Sequence, residues 1–223
     1  MQHVQEVFSL YSAAGHRKYL NHEERQRVLA VMTRLKTDHA LLALTLAWSG
    51  ARPSEVLALT PSSFQVTASL ISMRTLKRRR AHVREVPIPP QLMRALADHF
   101  DLVRAQANPK RACTRLWPYC RVTAWRIIKT AMACARVGGV AATPRGLRHG
   151  FGVATLQAGV PINLVQRWLG HARLSTTAIY ADVLGPEELS FAERFWSAGD
   201  RRSGAIARPR QAALIPQQER KAA

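Results

Sequence analysis

Between Asn21 and Gly50 the apolar positions recur at helical spacing. Val28, Met32 and Leu35 fall at i, i+4 and i+7, the stripe of an amphipathic helix. Asn21 followed by Glu24 has the form of an N-cap with its capping-box acid. The next segment, His39 to Trp48, is apolar nearly all round, which predicts a helix central to the core, capped by Asp38 and stopped at Gly50. Pro53 suits the first turn of another helix. From Phe64 to Ile88 the period changes: residues alternate, β-branched side chains become frequent, and strands are predicted, with Lys77-Arg78-Arg79-Arg80 as a hairpin tip between the last two. Pro87, Pro89 and Pro90 end that region, and helix resumes from Gln91 to Phe100.

Asn108 to Pro118 reads as a loop, and Arg121 to Val137 as a helix with Val122, Trp125, Ile128 and Met132 on one side. Trp117 and Trp125 can stack on bases, but a tryptophan at helical spacing is more often core, and both read as core residues. Thr143-Pro144 opens a helix, Pro161 to Leu169 forms another closed by Gly170, and Ser175 caps a short helix carrying Tyr180. A last helix starts at Pro186. The expected fold class is α+β, mainly α-helical, with a small three-stranded antiparallel sheet. Residues 1–18 read as a short lead-in with a helical turn or two around Val4 to Leu10, residues 19–198 as the folded domain, and residues 199–223 as a disordered basic tail.

Charge changes the picture. The chain of 223 residues carries 33 Lys and Arg against 14 Asp and Glu, a formal charge of +19, while its 47% hydrophobic content is ample for a core. A chain this basic is expected to meet a polyanion, most commonly nucleic acid, with a ribosome-associated or simply solubilised surface as the bland alternative. From Leu102 to Ala181 there are twelve Lys or Arg and no acid at all. A solvated structural face normally mixes signs. The three cysteines, Cys113, Cys120 and Cys134, show no metal-ligand spacing and read as buried free thiols. No apolar run suggests a signal peptide or a membrane span, so a cytoplasmic location is expected.

The candidate chemistry lies between Pro144 and Tyr180. Arg145 and Arg148 fall in the first two turns of a helix, where the macrodipole disfavours cations unless an anion compensates. Such a local conflict marks a site. Upstream, Arg52 and Glu55 are spaced to share a side. This pair is equally readable as a surface contact or as a guanidinium held in place by a carboxylate. The Lys77–Arg80 tip is likewise a solvated turn or a finger gripping a nucleic-acid backbone. If the anion is a DNA phosphodiester, Tyr180 offers a nucleophilic oxygen and the arginines offer charge that is never lost. Lys77 can protonate the departing 5′ oxygen, and His171 can position the phosphate or assist with the phenol proton. No carboxylate cluster is present to hold a metal, so none is expected.

The segments SGARPSEVLAL, GLRHGF and LGHARLSTTAIY, with the Lys77 hairpin, stand in an order that strongly resembles the tyrosine recombinase (phage integrase) family, over roughly Tyr19 to Trp196. The resemblance implies the catalytic-domain fold of that family and site-specific breaking and rejoining of double-stranded DNA through a 3′-phosphotyrosine. It implies Arg52 and Arg148 as phosphate clamps, Lys77 as general acid, His171 as the third-box histidine and Tyr180 as nucleophile. Glu55 and His149 become supporting residues, and Arg78, Arg79, Arg80, Arg126, Lys129 and Arg173 are candidates for DNA contact. Neither ATP nor any other cofactor is implied. A tetramer on two duplexes is implied, with Phe191, Phe195 and Trp196 as candidates for the contact between protomers.

The sequence departs from the family in two ways. Arg145 occupies a position where the family usually has His or Lys, and an arginine keeps the charge but exchanges no proton near neutral pH. We expect it to serve by charge. The family's N-terminal DNA-binding domain has no counterpart in the first eighteen residues, so the chain reads as a compact family member, as a piece of a longer one, or as one that takes that clamp from an accessory protein. Two alternatives stand beside this reading: a DNA-binding accessory protein with a reduced active site, and DNA relaxation of the type IB topoisomerase kind.

Overall fold

A computed structural model describes residues 9–75 and 82–181, with only the backbone of His82. The expectations for Val4, for the Lys77–Arg80 tip, for Pro186 onward, and for Phe191, Phe195 and Trp196 lie outside the described residues.

Helix α1 (His22–Met32) starts with the full capping box: the Asn21 side chain accepts from the Glu24 amide and Glu24 accepts from the Asn21 amide. Helix α2 (Thr37–Ser49) is buried almost throughout, from Ala40 to Ala47, and ends at Gly50 in the left-handed conformation. Its start differs from expectation. Lys36 is the N-cap, and Asp38 lies inside the first turn, where its carboxylate meets His99 at 2.7 Å. Helix α3 (Pro53–Val56) is a single turn opened by Pro53. Strands β1 (Phe64–Gln65), β2 (Leu70–Thr75) and β3 (His82–Pro87) form one antiparallel sheet in the order β1-β2-β3, with Ile71 opposite Val86 and Met73 opposite Arg84.

Helix α4 (Pro90–Phe100) follows, then α5 (Leu102–Ala107), which the sequence pattern did not suggest. Within the expected loop, Asn108 caps one helical turn, α6 (Pro109–Ala112). Helix α7 (Arg121–Cys134) buries Ala124, Ile127, Ile128, Ala131 and Met132, so Ile128 and Met132 of the expected face are in the core while Val122 and Trp125 are not. Val122 and Trp125 are on the surface, the latter 46% exposed, with Lys129 over its ring. The expectation of a core tryptophan therefore fails for Trp125. It holds for Trp117, buried with its indole N–H donating to the Asp38 carbonyl. All three cysteines are exposed, against the expectation of buried thiols.

Helix α8 (Pro144–Gln157) is capped by Thr143, whose hydroxyl accepts from the Gly146 amide. Helix α9 (Ile162–Leu169) ends at Gly170, and α10 (Ser175–Ala178) follows. Ser175 is the first residue of α10 rather than its cap, and Tyr180 sits in the turn just beyond. The main core joins α1, α2, α4, α7 and the sheet around Leu42, Leu46, Met73, Met93 and Ile128. A smaller cluster gathers Leu10, Tyr19, Phe151, Val153, Val165, Leu169 and Tyr180. Residues 10–18 turn back on themselves, with the Lys18 amide donating to the Leu10 carbonyl at 2.8 Å, so the lead-in packs against the segment bearing Tyr180. No helix among the described residues is long and apolar enough to cross a membrane.

Candidate active site

Arg52 stands at the junction of α2 and α3, in extended backbone just before Pro53. Its amide donates to Glu55 Oε2 at 2.9 Å and its Nη1 to Glu55 Oε1 at 3.0 Å. The pair is not a surface contact, because the Glu55 carboxylate is buried while the Arg52 side chain stays 27% exposed. Burial alone would raise the Glu55 carboxyl, but hydrogen bonds and charge from Arg84 and Arg52 outweigh it and hold it below the ordinary range.

Arg84 is the residue that the sequence reading missed. It lies on β3 with its guanidinium wholly buried. Nη2 donates to Glu55 Oε2 at 2.8 Å, Nη1 to Thr75 Oγ1 at 3.0 Å, and Nε to the Trp168 carbonyl at 2.7 Å. One side chain thus ties the end of β2, the Arg52–Glu55 pair and the end of α9. A signal for it existed. Val86 and Ile88 face the core, and in a strand residue 84 shares their side.

Arg148 projects from the second turn of α8 into the interior. Its Nη1 donates to the Gly50 carbonyl at 2.6 Å and its Nη2 to the Leu169 carbonyl at 2.7 Å. Both acceptors lie at C-terminal ends of helices, where carbonyls lack helical partners and the dipole favours a cation. Burial, then the Arg52 charge, push this guanidinium down to about 9, which leaves it charged at neutral pH. A guanidinium carries five N–H groups, so these two bonds leave capacity for an anion.

Arg145 is exposed and does not join Arg148, although the two are three residues apart. It donates instead from Nε to His149 Nε2 at 3.2 Å, and His149 Nδ1 is 3.0 Å from the Tyr180 hydroxyl. His171 hydrogen-bonds Thr177 Oγ1 through Nδ1 at 2.9 Å and lies nearly parallel to the Tyr180 ring, 6.3 Å between centroids. Burial, then neighbouring arginines, push His149 down to about 4 and His171 to about 3, so both are neutral at pH 7. Burial raises the Tyr180 phenol, against the lowering effect of Arg148, Arg145 and Arg52. Gly152 makes room for the tyrosine: a Cβ there would lie 2.8 Å from its ring.

Arg52, Glu55, Arg148, His149, His171 and Tyr180 are therefore brought into one locality by α2–α3, α8 and the segment after α9, with Arg84 as the added member. Lys77, Arg78, Arg79 and Arg80 lie outside the described residues. Arg126 and Arg173 are exposed, while Lys129 is turned back to the Ala142 carbonyl at 3.0 Å. Among the described residues no group of His, Cys, Asp and Glu is arranged to hold a metal ion. Chemically, the locality offers fixed positive charge beside a phenol, with neutral imidazoles on either hand.

The Phage integrase family model matches residues 18–185. The chain is 31% identical over 173 residues to tyrosine recombinase XerA of Pyrococcus furiosus, an alignment covering 74% of this chain and 57% of that protein. The chain thus spans less than two thirds of the length of this relative. The catalytic domain of bacteriophage HP1 integrase superposes with a TM-score of 0.56 over 84% of this chain and 98% of that domain, at 24% identity. The Tn1549 transposon integrase, solved in complex with transposon right end DNA, shares the fold with a TM-score of 0.57 over 81% of this chain and 66% of that one, at 17% identity. The order of Arg52, Arg148, His171 and Tyr180 along the chain, their convergence in the fold, and a family match over most of the length lead to one conclusion: this chain belongs to the phage integrase family of tyrosine recombinases.

Proposed function

We propose that the chain breaks and rejoins DNA at specific sites, with Tyr180 as nucleophile. The observation that carries this reading is the phenol of Tyr180 held beside Arg148, His149 and His171 in a site of net positive charge. In the proposed step the Tyr180 oxygen attacks a backbone phosphorus, an Oη–P bond forms and the P–O5′ bond breaks. The product is a 3′-phosphotyrosine and a free 5′ hydroxyl. Attack by a 5′ hydroxyl from another strand reverses the chemistry and releases the tyrosine.

Arg52 and Arg148 offset the charge on the non-bridging oxygens, the main source of rate in such a site. Lys77 protonates the leaving oxygen, and His171 orients the phosphate. The family resemblance supports a homotetramer on two duplexes, a clamp domain supplied elsewhere in the protein or by an accessory partner, and action in the cytoplasm. The acid-free 102–181 region supports backbone contacts by Arg126, Lys129 and Arg173 and, with the Lys77 hairpin, by Arg78, Arg79 and Arg80.

The test is covalent trapping on a nicked suicide substrate made from DNA recovered with the protein in its host. The expected result is a stable protein–DNA adduct that Tyr180→Phe abolishes. Relaxation of supercoiled plasmid without site preference would favour the topoisomerase reading. Binding with no adduct would favour the accessory reading.

A further inference from the structure

Arg145, Arg148, His149 and Tyr180 come from one helix and the turn that packs on it, and their hydrogen bonds fix where protons lie. An arginine only donates. Because Arg145 Nε donates to His149 Nε2 at 3.2 Å, that nitrogen presents its lone pair. A neutral imidazole with Nε2 unprotonated carries its hydrogen on Nδ1, and Nδ1 lies 3.0 Å from the Tyr180 oxygen. The hydrogen bond therefore runs from His149 to Tyr180. The tyrosine cannot donate its own proton in return, since that would require an imidazolate. Charging the ring is also disfavoured, by burial and then by Arg145, Arg148 and Lys18.

We propose that Arg145 acts on His149 rather than on the phosphate, locking the Nδ1–H tautomer so that His149 is a hydrogen-bond donor to the nucleophilic oxygen of Tyr180. Arg145 is then a positioning residue, and His149 a catalytic residue that touches the reacting atom. The inference for catalysis rests on the recombinase reading. As the Oη–P bond forms and P–O5′ breaks, the phenol proton leaves to water, the 5′ oxygen is protonated by the general acid, and His149 keeps its hydrogen throughout. The donated bond favours the phenolate, which counters the burial that raises the phenol. It also explains how arginine is accommodated at position 145: the position needs a permanent donor, not a proton carrier.

The experiment is nitrogen-15 NMR of the histidine rings in the full, DNA-free chain, with His149 assigned by comparison with His149→Asn. The expected result at neutral pH is a protonated Nδ1 and an unprotonated Nε2. In Arg145→Leu, at an exposed position that tolerates the change, the expected result is a shift to the Nε2–H form. An Nε2–H tautomer in the wild type, or an unchanged tautomer in Arg145→Leu, overturns the proposal. Cleavage supplies a second readout. His149→Asn retains an amide N–H near the position of Nδ1–H and is expected to keep cleavage within about tenfold, whereas His149→Phe loses on the order of 100-fold. Equal loss in both would identify His149 as a base and overturn the proposal. If the wild type cleaves no DNA, the recombinase reading fails, while the tautomer measurement still decides this inference.

Discussion

Arg84 donates to Glu55 across 2.8 Å, and both side chains are almost fully withdrawn from solvent, at 0% and 1% exposure. Breaking one side of such a buried pair typically costs about 3–5 kcal/mol, because the remaining charge is left poorly compensated. Arg84→Met should therefore lower unfolding stability by roughly that amount, read as a fall in the denaturant midpoint at unchanged m-value. A loss below about 1 kcal/mol would mean that Glu55 is satisfied without it.

Gly152 bears on Tyr180, the proposed nucleophile. Alanine in a helix interior normally stabilises by about 1 kcal/mol over glycine. Here the added methyl would meet the Tyr180 ring at 2.8 Å, so the ring must move. Gly152→Ala is expected to slow single-turnover cleavage on the order of 100-fold while DNA affinity is retained, the effect of misplacing a reacting group by about an ångström. Unaltered cleavage would show that the ring position is not critical.

Two neutral histidines, His171 buried and His149 half-buried, make the fold sensitive to acid. Each has its folded pKa lowered, His149 to about 4 and His171 to about 3, from an ordinary value of 6.5. Between those values and 6.5 the unfolded chain binds protons that the folded chain does not, so stability rises with pH across the window and is lost as pH falls through it. Each site contributes about 3 kcal/mol to that loss by pH 4. Thermal unfolding between pH 7 and 4 should show it, and His171→Gln should flatten the slope. An identical slope in that variant would place the acid sensitivity elsewhere.

The charge distribution predicts strong salt dependence of DNA binding. Neutralising six or more phosphates would cost roughly a thousandfold in affinity between 50 and 200 mM salt. Arg126→Ala and Arg173→Ala, both at exposed positions, should each lower the slope of log affinity against log salt by about one. A slope unmoved by either change would place the DNA elsewhere on the surface.

Much of the candidate site was legible because its residues sit at local structural signals. Arg52 precedes a helix-opening proline, Arg148 lies one turn beyond the Thr143 cap, and His171 follows a glycine stop. The sheet was equally plain from its alternation. Arg84 was harder: an arginine in a strand reads as solvent-facing unless parity with Val86 and Ile88 is given more weight than polarity. The contact between His149 and Tyr180 spans 31 residues, and nothing local announces it. Trp125 failed for another reason. Arg121 to Cys134 packs through Ala124 and Ala131 together with Ile127, Ile128 and Met132, and an alanine carries a weak signal, so the larger Val122 and Trp125 read as core although they remain on the surface.

The central claim is that Tyr180 forms the covalent bond to DNA. The most direct measurement is peptide mapping by mass spectrometry of the trapped adduct after nuclease and protease digestion. The account predicts a nucleotide remnant on the peptide containing Tyr180, linked through a 3′ phosphate. A remnant on any other residue, or a 5′ linkage, would contradict it.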